Sequence, residues 1–381
     1  MPQHIDHIVI LGSTLTALSL ARHCHSLDLD CDVVDTKTGP AAASAIPKVT
    51  LLRNSTDQET LDSVTALART NRSALVADSD AWLRWITRFR LELETVFEQI
   101  LHPANEIAAT CLDKSAFLGW CEDNGLPAPR FYPKSALQDL EDSAYPVLVR
   151  PKETRHGIPS ALPKAMEVLC TDELRSLLGQ FEDEGVDVTV CESLLRPKVK
   201  QFSVGVVRNA LGHVRAIVAE KIRPPAEWCA GGTYVATGHV EDVHELAVSA
   251  ADKIGLFGIA EIEILKDDDT QELFLIEINP RPWVQYSLAW RSGFDFLTFI
   301  LAPQSYRFEN EIGSGRRWIS FKDDAYVALS RSRGMIRNKN MTVWHYFADL
   351  LRANVFAYWS IVDLNPWLRK VAERFDKTQR T

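Results

Sequence analysis

Two apolar runs in the last third of the chain carry polar groups at alternating positions. Gly258 to Leu265 reads GIAEIEIL, with Glu261 and Glu263 two apart, and Leu273 to Arg281 reads LFLIEINPR, with Glu277 and Asn279 two apart before Pro280 and Arg281. In a strand, residues two apart share a face, so a hairpin of these runs collects carboxylates on one surface. If Glu263 and Glu277 oppose each other, two charges about 4 Å apart repel by roughly 4 kcal/mol at an effective dielectric of 20. A compensating cation is then required. Two carboxylates and an amide oxygen suit Mg²⁺, with Mn²⁺ as an alternative, and Mg²⁺ completes its octahedron with phosphate oxygens and water. Arg281 can fork onto the same phosphate or onto a developing negative charge. The plainer reading is a turn that ends a strand with a surface ion pair.

Elements that position these groups are legible upstream. HIVIL (7–11), a helical GSTLTALSLARHCHSL and CDVVD (31–35) form a β-α-β start. Its turn, Gly12 to Ala17, has one glycine where a dinucleotide fingerprint needs three, which disfavours a nicotinamide oxidoreductase with Asp35 on a ribose. Asp113 caps a helix from about Lys114 to Asn124, Gly125 ends it, and Pro127 and Pro129 force an extended exit. Strands are expected at 145–151, 165–170 and 186–195, and a hairpin about Asn209 to Gly212. Lys221 and Arg223 alternate on one strand face, and Gly231-Gly232-Thr233 offers a flexible turn to an anionic group. A helix over 241–254 precedes the acidic hairpin, whose turn is KDDDTQ. The final 75 or so residues read as mostly helical.

At 381 residues the chain exceeds one ordinary core, so subdomains around a cleft are expected. Hydrophobic content of 46% and charged content of 24% describe a soluble globular chain, and no apolar run nears the roughly 18 residues of a membrane span. No signal peptide is read at the N-terminus. Seven scattered cysteines, never CxxC, suggest reduced cytoplasmic thiols and no zinc site. A net charge of -9 provides no field for nucleic acid.

The order and spacing of these segments, over about residues 5–300, resemble the ATP-grasp superfamily and especially its single-chain carboxylate–amine ligases. The resemblance implies an α/β fold with an N-terminal doubly wound pre-ATP-grasp domain (1–110), a small central subdomain (111–190), a larger C-terminal subdomain bearing the metal site (191–304) and a helical extension (305–381). It implies ATP and Mg²⁺ as cofactors, with metal ligands Glu263, Glu277 and Asn279. Nucleotide contacts fall on Lys114, Arg150, Lys152 and Lys164, on Glu192, Ser193 and Leu195 in the Glu-x-x-Leu stretch at the adenine, and on Gln201 at the ribose, where many members have glutamate. Arg281, Arg223 and Lys164 take the catalytic roles. Loop 153–163 is poorer in glycine than the phosphate flap of several relatives, leaving more of the phosphate charge to side-chain cations. That loop and the Gly231-Gly232 turn are the expected lids. Trp283, Gln285, Tyr286, Trp290 and Arg291 either shape an acceptor pocket or pack as core. The implied reaction joins a small-molecule carboxylate, of amino-acid or peptide-like size, to an amine through an acyl phosphate, releasing ADP and phosphate. A noncatalytic ATP-binding protein and an ATP-grasp phosphotransferase are the alternatives, and a homodimer remains open.

Overall fold

The computed structural model describes residues 5–69, 72–153, 162–196, 198–223, 231–304, 315–330 and 334–378. Three sheets organise them. The first comprises β1 (His7–Leu11), β2 (Asp30–Asp35), β3 (Lys48–Leu51), β4 (Ser73–Ala77) and β5 (Gln99–Ile100), all parallel, in the order β3-β2-β1-β4-β5. Ile8, Ile10, Val33 and Val76 pack with the helix Leu15–Ser26, whereas Val9, Leu11, Val34 and Leu75 pack with Leu61, Val64, Leu83 and Ile86. Both faces are covered, which is why its strands read as unbroken apolar runs.

The first turn is closed from within. Gly12 has φ +108°, and a Cβ there would meet Asp78 at 1.8 Å. Asp78 accepts the Thr14 N–H at 2.8 Å, so a carboxylate already lies at the helix start where a dinucleotide would place its phosphates.

The second sheet is antiparallel: β6 (Phe131–Tyr132), β7 (Val147–Pro151), β8 (Met166–Val168) and β9 (Val188–Glu192), ordered β6-β9-β7-β8. Its third expected strand stops at Glu192, so Ser193 to Leu195 form a linker. The helix Lys114–Asp123 precedes it, with Asp113 accepting from the N–H groups of Ser115 and Ala116 and Gly125 at φ +60°.

The third sheet has seven strands, β10 (Val199–Arg208), β11 (Val214–Arg223), β12 (Tyr234–Thr237), β13 (Gly258–Asp267), β14 (Leu273–Asn279), β15 (Arg317–Ile319) and β16 (Val355–Phe356), ordered β14-β13-β10-β11-β12-β15-β16. One face, with Val204, Val206, Ala216, Val218 and Ile262, buries against the helices Glu241–Lys253 and Lys114–Asp123. The other is apolar at one end, where Val207, Ile217 and Ile259 join the core around Trp283. Gly205 is required there, because a Cβ would lie 2.0 Å from the Trp283 ring. Farther along the same face the residues turn acidic. Beside its helices the tail carries two short strands: β15 and β16 extend this sheet and pair with each other in parallel. Among the described residues no helix is long and apolar enough to cross a membrane.

Candidate active site

The β13–β14 ladder pairs Glu263 with Glu277 and Glu261 with Asn279, then shifts register after Glu263. Because β10 pairs Ser203 with Glu263 and Gly205 with Glu261, the three carboxylates and the amide share the face that Trp283 covers farther along. Asn279 Nδ2 donates to Glu261 and to Glu277, each at 3.2 Å, and Ser203 Oγ donates to Glu261. Glu261 is thereby satisfied within the sheet.

Cations surround the remaining charge. Lys221, on β11 and only 5% exposed, places Nζ 2.8 Å from Glu263. Glu277 lies 4.0 Å from Lys114 Nζ and 3.9 Å from Arg150 Nη1. The helix start and β7 are tied together, since the Lys114 N–H donates to the Lys152 carbonyl at 3.1 Å and Lys152 Nζ meets Asp113 at 2.9 Å. Arg150 is buried, donates to the Ile276 carbonyl at 3.4 Å, and keeps an Nε without a hydrogen-bond partner among the described residues.

The carboxylates respond unequally. Burial, opposed by Lys221 but reinforced by Glu261 and Glu277, pushes Glu263 up to about 7. Burial also acts on Glu277, yet Lys114 and Arg150 hold it below the usual carboxylate range. Lys221 stays charged against its burial because Glu263, Glu261 and Glu277 favour the ammonium. Glu263 is therefore the group that gives way, and its raised pKa marks negative charge that Lys221 alone does not offset. Among the described residues no group of three or more His, Cys, Asp or Glu side chains is arranged to hold a metal. The expected set has two carboxylates and an amide oxygen, a donor chemistry that fits Mg²⁺ once phosphate oxygens complete it.

Lys114, Arg150, Glu263, Glu277 and Asn279 thus come together, with Lys152 alongside. Arg281 adjoins them, donating to Asn279 Oδ1 at 3.5 Å, but its Nε is engaged by Asp80 at 2.5 Å. Lys164 is exposed just before β8, beyond the last pair of the β7–β8 ladder. Glu192 pairs with Arg196 at 3.0 Å, Ser193 Oγ donates to Glu167, and the Leu195 N–H points to Ser193 Oγ at 3.4 Å. Gln201 is half-buried on β10, two residues from Ser203 on the same face and opposite Leu265. Most of the expected lid 153–163 lies outside the described residues, as do Cys229 and Ala230. Gly232 is described, and its carbonyl accepts from the buried Gln285 at 2.9 Å.

Arg223 requires correction. A bulge follows Lys221, so that Lys221 and Arg223 oppose the consecutive residues Val235 and Tyr234, and the expected alternation fails. Arg223 donates to Asp324 at 2.7 and 3.0 Å and to Asp349 at 2.6 Å, with its guanidinium 4.0 Å over the Tyr234 ring. It fastens the tail to β11 and is not brought to the acid pair. Trp283, Gln285 and Tyr286 likewise prove to be buried.

Sequence reasoning missed Ser203, Asp80 and His102 and left Glu261 outside the metal set. Glu261 was within reach, since the Glu-x-Glu alternation puts it beside Glu263. Nothing local announces Asp80 or His102, which meet the turn after β14 from about 200 residues away.

Sequence comparison finds no matching family model and no matching curated protein. Solved structures do match. An N5-carboxyaminoimidazole ribonucleotide synthetase in complex with ADP aligns with a TM-score of 0.64 at 16% identity, covering 83% of this chain and 82% of that one. The biotin carboxylase of Campylobacter jejuni gives 0.64 at 15% identity over 83% and 75%. The N5-carboxyaminoimidazole ribonucleotide synthetase of Thermotoga maritima gives 0.58 at 16% over 81% and 78%. With these ATP-grasp structures matched across four fifths of its length, the chain has the ATP-grasp fold.

Proposed function

We propose that the chain is an ATP-dependent carboxylate–amine ligase that forms an amide bond through an acyl phosphate and releases ADP and phosphate. The observation that carries this reading is the cross-strand pair Glu263 and Glu277, joined by Asn279 and ringed by Lys114, Arg150 and Lys221. Glu263, Glu277 and Asn279 would hold Mg²⁺, which supplies charge neutralisation to the phosphates when bound. Phosphoryl transfer needs little covalent help and mainly needs positioned charge. Lys114 and Arg150 meet the phosphate charge on the helix side of the acids. Arg281, held by Asp80, faces the reacting carboxylate, and Lys164 and Lys152 approach from the second sheet. The linker 192–195 and Gln201 take the nucleoside. Attack by the substrate carboxylate on the γ-phosphorus expels ADP; the amine then attacks the acyl carbon, phosphate leaves, and the amine loses a proton.

The test is ADP and phosphate release from MgATP with amino acids, hydroxy acids and short peptides offered singly and in pairs. Release that depends on a particular pair is expected. Glu277→Gln should lower kcat by at least about 100-fold with an unchanged circular dichroism spectrum. Undiminished turnover in that variant removes the centre from the mechanism.

One observation favours a second reading, an ATP-binding protein without turnover: the Lys221 ammonium already sits on Glu263. Lys221→Met separates the two. For a ligase it should leave Mg²⁺-dependent stabilisation by ATP in place, because the metal takes over the neutralisation of Glu263. If the ammonium has replaced the metal, the variant should lose stability that MgATP does not restore, as read by thermal denaturation.

A further inference from the structure

The tail beyond residue 314 differs in charge from the rest of the chain. Residues 315–381 hold 13 Lys or Arg and 6 Asp or Glu, a net +7 within a chain of -9, so the 314 residues before them carry -16. The fold sorts the tail's charges by depth. Asp324 and Asp349 turn inward onto Arg223, and Asp363 onto Arg22 at 3.1 Å, which leaves Asp323 as the one exposed acid among the tail's described side chains. Arg316, Lys322, Arg337, Lys339, Arg352 and Arg369 are all exposed. The tail therefore presents a basic surface on an otherwise acidic molecule.

Its apolar groups face the same solvent. The helix Val343–Arg352 buries Tyr346 and turns Asp349 to Arg223. Its other side carries Trp344, Phe347 and Leu351, at i, i+3 and i+7, which is one stripe of a helix. Trp344 is 82% and Leu351 89% exposed, so the apolar stripe is turned away from the fold. Arg337 and Lys339 precede this helix and Arg352 ends it. The pattern recurs before the last helix. Asp363 is tied down by Arg22 and by Ser44 at 2.9 Å, while Ile361 and Val362 before it and Trp367 and Leu368 after it are exposed, with Arg369 next. Single exposed apolar residues need no explanation, but grouped ones mark an interaction surface.

Charge and chemistry choose the occupant. A second copy docked symmetrically would set this basic rim against itself, at a cost in like-charge repulsion. Nucleic acid answers the cations and leaves Leu351, Ile361 and Val362 without an apolar partner. An anionic bilayer answers both, because Trp and Leu enter the boundary between headgroups and acyl chains while Lys and Arg stay at the lipid phosphates. Among the described residues no helix is long and apolar enough to cross, so the contact is one of lying on the surface. We infer that the tail is a docking surface for an anionic lipid membrane, with Trp344, Phe347 and Leu351 entering the boundary and Arg337, Lys339 and Arg352 meeting the headgroups. This surface does not depend on the ligase reading.

Co-sedimentation of the full chain with sucrose-loaded vesicles of phosphatidylcholine and phosphatidylglycerol, at about two to one, tests it. Saturable binding is expected. It should be weaker by roughly tenfold or more on pure phosphatidylcholine and in about 0.5 M salt, since each basic residue at an anionic surface contributes about fivefold in affinity and salt screens it. Tryptophan emission should shift to the blue as Trp344 leaves water. Trp344→Ser combined with Leu351→Ser, at exposed positions and with an unchanged circular dichroism spectrum, should weaken binding by roughly tenfold or more, and Lys339→Gln by about fivefold. Absence of binding to the anionic vesicles, equal binding to pure phosphatidylcholine, or unchanged affinity in the double variant overturns the inference. A lipid-free dimer in light scattering that the double variant dissociates also overturns it, since a second copy then covers the stripe.

Discussion

Glu263 is where the charge balance of the acidic hairpin is weakest. Its carboxyl sits opposite Glu277 and beside Glu261, with a single ammonium in contact, and rises to about 7 from an ordinary 4.5. Between these values the folded protein keeps a proton that the unfolded chain has released. The unfolded state then binds fewer protons, so this group's contribution to stability falls as pH rises from about 4.5 to about 7. A divalent cation reverses the preference, since it binds the ionised carboxylates and competes with the proton. Magnesium with ATP should therefore raise the melting temperature more at pH 8 than at pH 6. An equal shift at both values would detach Glu263 from the metal.

At the level of strands and helices, one inserted residue decides what Arg223 does. The bulge after Lys221 leaves the ammonium on the acidic face and turns the guanidinium to Asp324 and Asp349, where it binds the helices Phe321–Leu329 and Val343–Arg352 to β11. Arg223→Met leaves the fully buried Asp324 without its cation, whereas the half-buried Asp349 keeps Arg317 and Arg352 nearby, and should cost about 3–5 kcal/mol in denaturant unfolding. Turnover of the remaining folded protein should stay near normal; a large loss of kcat with unchanged stability would return Arg223 to the chemistry. Such bulges are not written in residue periodicity, which fixes alternation only while the ladder is regular. The hairpin about Gly212, the capped helix at Asp113 and the face shared by Glu261 and Glu263 were legible because turn residues, caps and period-2 patterning are local signals. The strands of the tail were not: Arg317–Ile319 and Val355–Phe356 are too short to show a period, and they become strands because the edge of β12 receives the first and the edge of the first receives the second.

Across the whole molecule, the turn after β14 is where the first sheet meets the third. Arg281 is held by Asp80, at the start of the helix Asp80–Arg88, and the Pro280 carbonyl lies 2.9 Å from Nδ1 of His102, just after β5. His102 Nε2 accepts the Ala77 N–H at 2.7 Å, so the ring is the neutral tautomer that donates from Nδ1 to Pro280. A second proton would have to enter between Nε2 and an N–H already pointing at it. Burial accordingly pushes the imidazole down to about 4 from 6.5. Here the unfolded state binds the extra proton first, so stability attributable to His102 is present above pH 6.5 and is lost as pH falls toward 4, by about 3 kcal/mol in all. Glu263 acts in the opposite sense over much of the same range, and the pH profile of the wild type blends the two. The difference between wild type and His102→Gln isolates one of them. Urea unfolding at pH 7 should find the variant less stable by about 2 kcal/mol, with the gap closing as pH approaches 4.5. If the turn also positions Arg281, kcat should fall in the variant while the affinity for MgATP is kept. A gap in stability that does not change with pH would mean that the ring acts by packing alone, and that the two halves of the molecule are not joined through this proton.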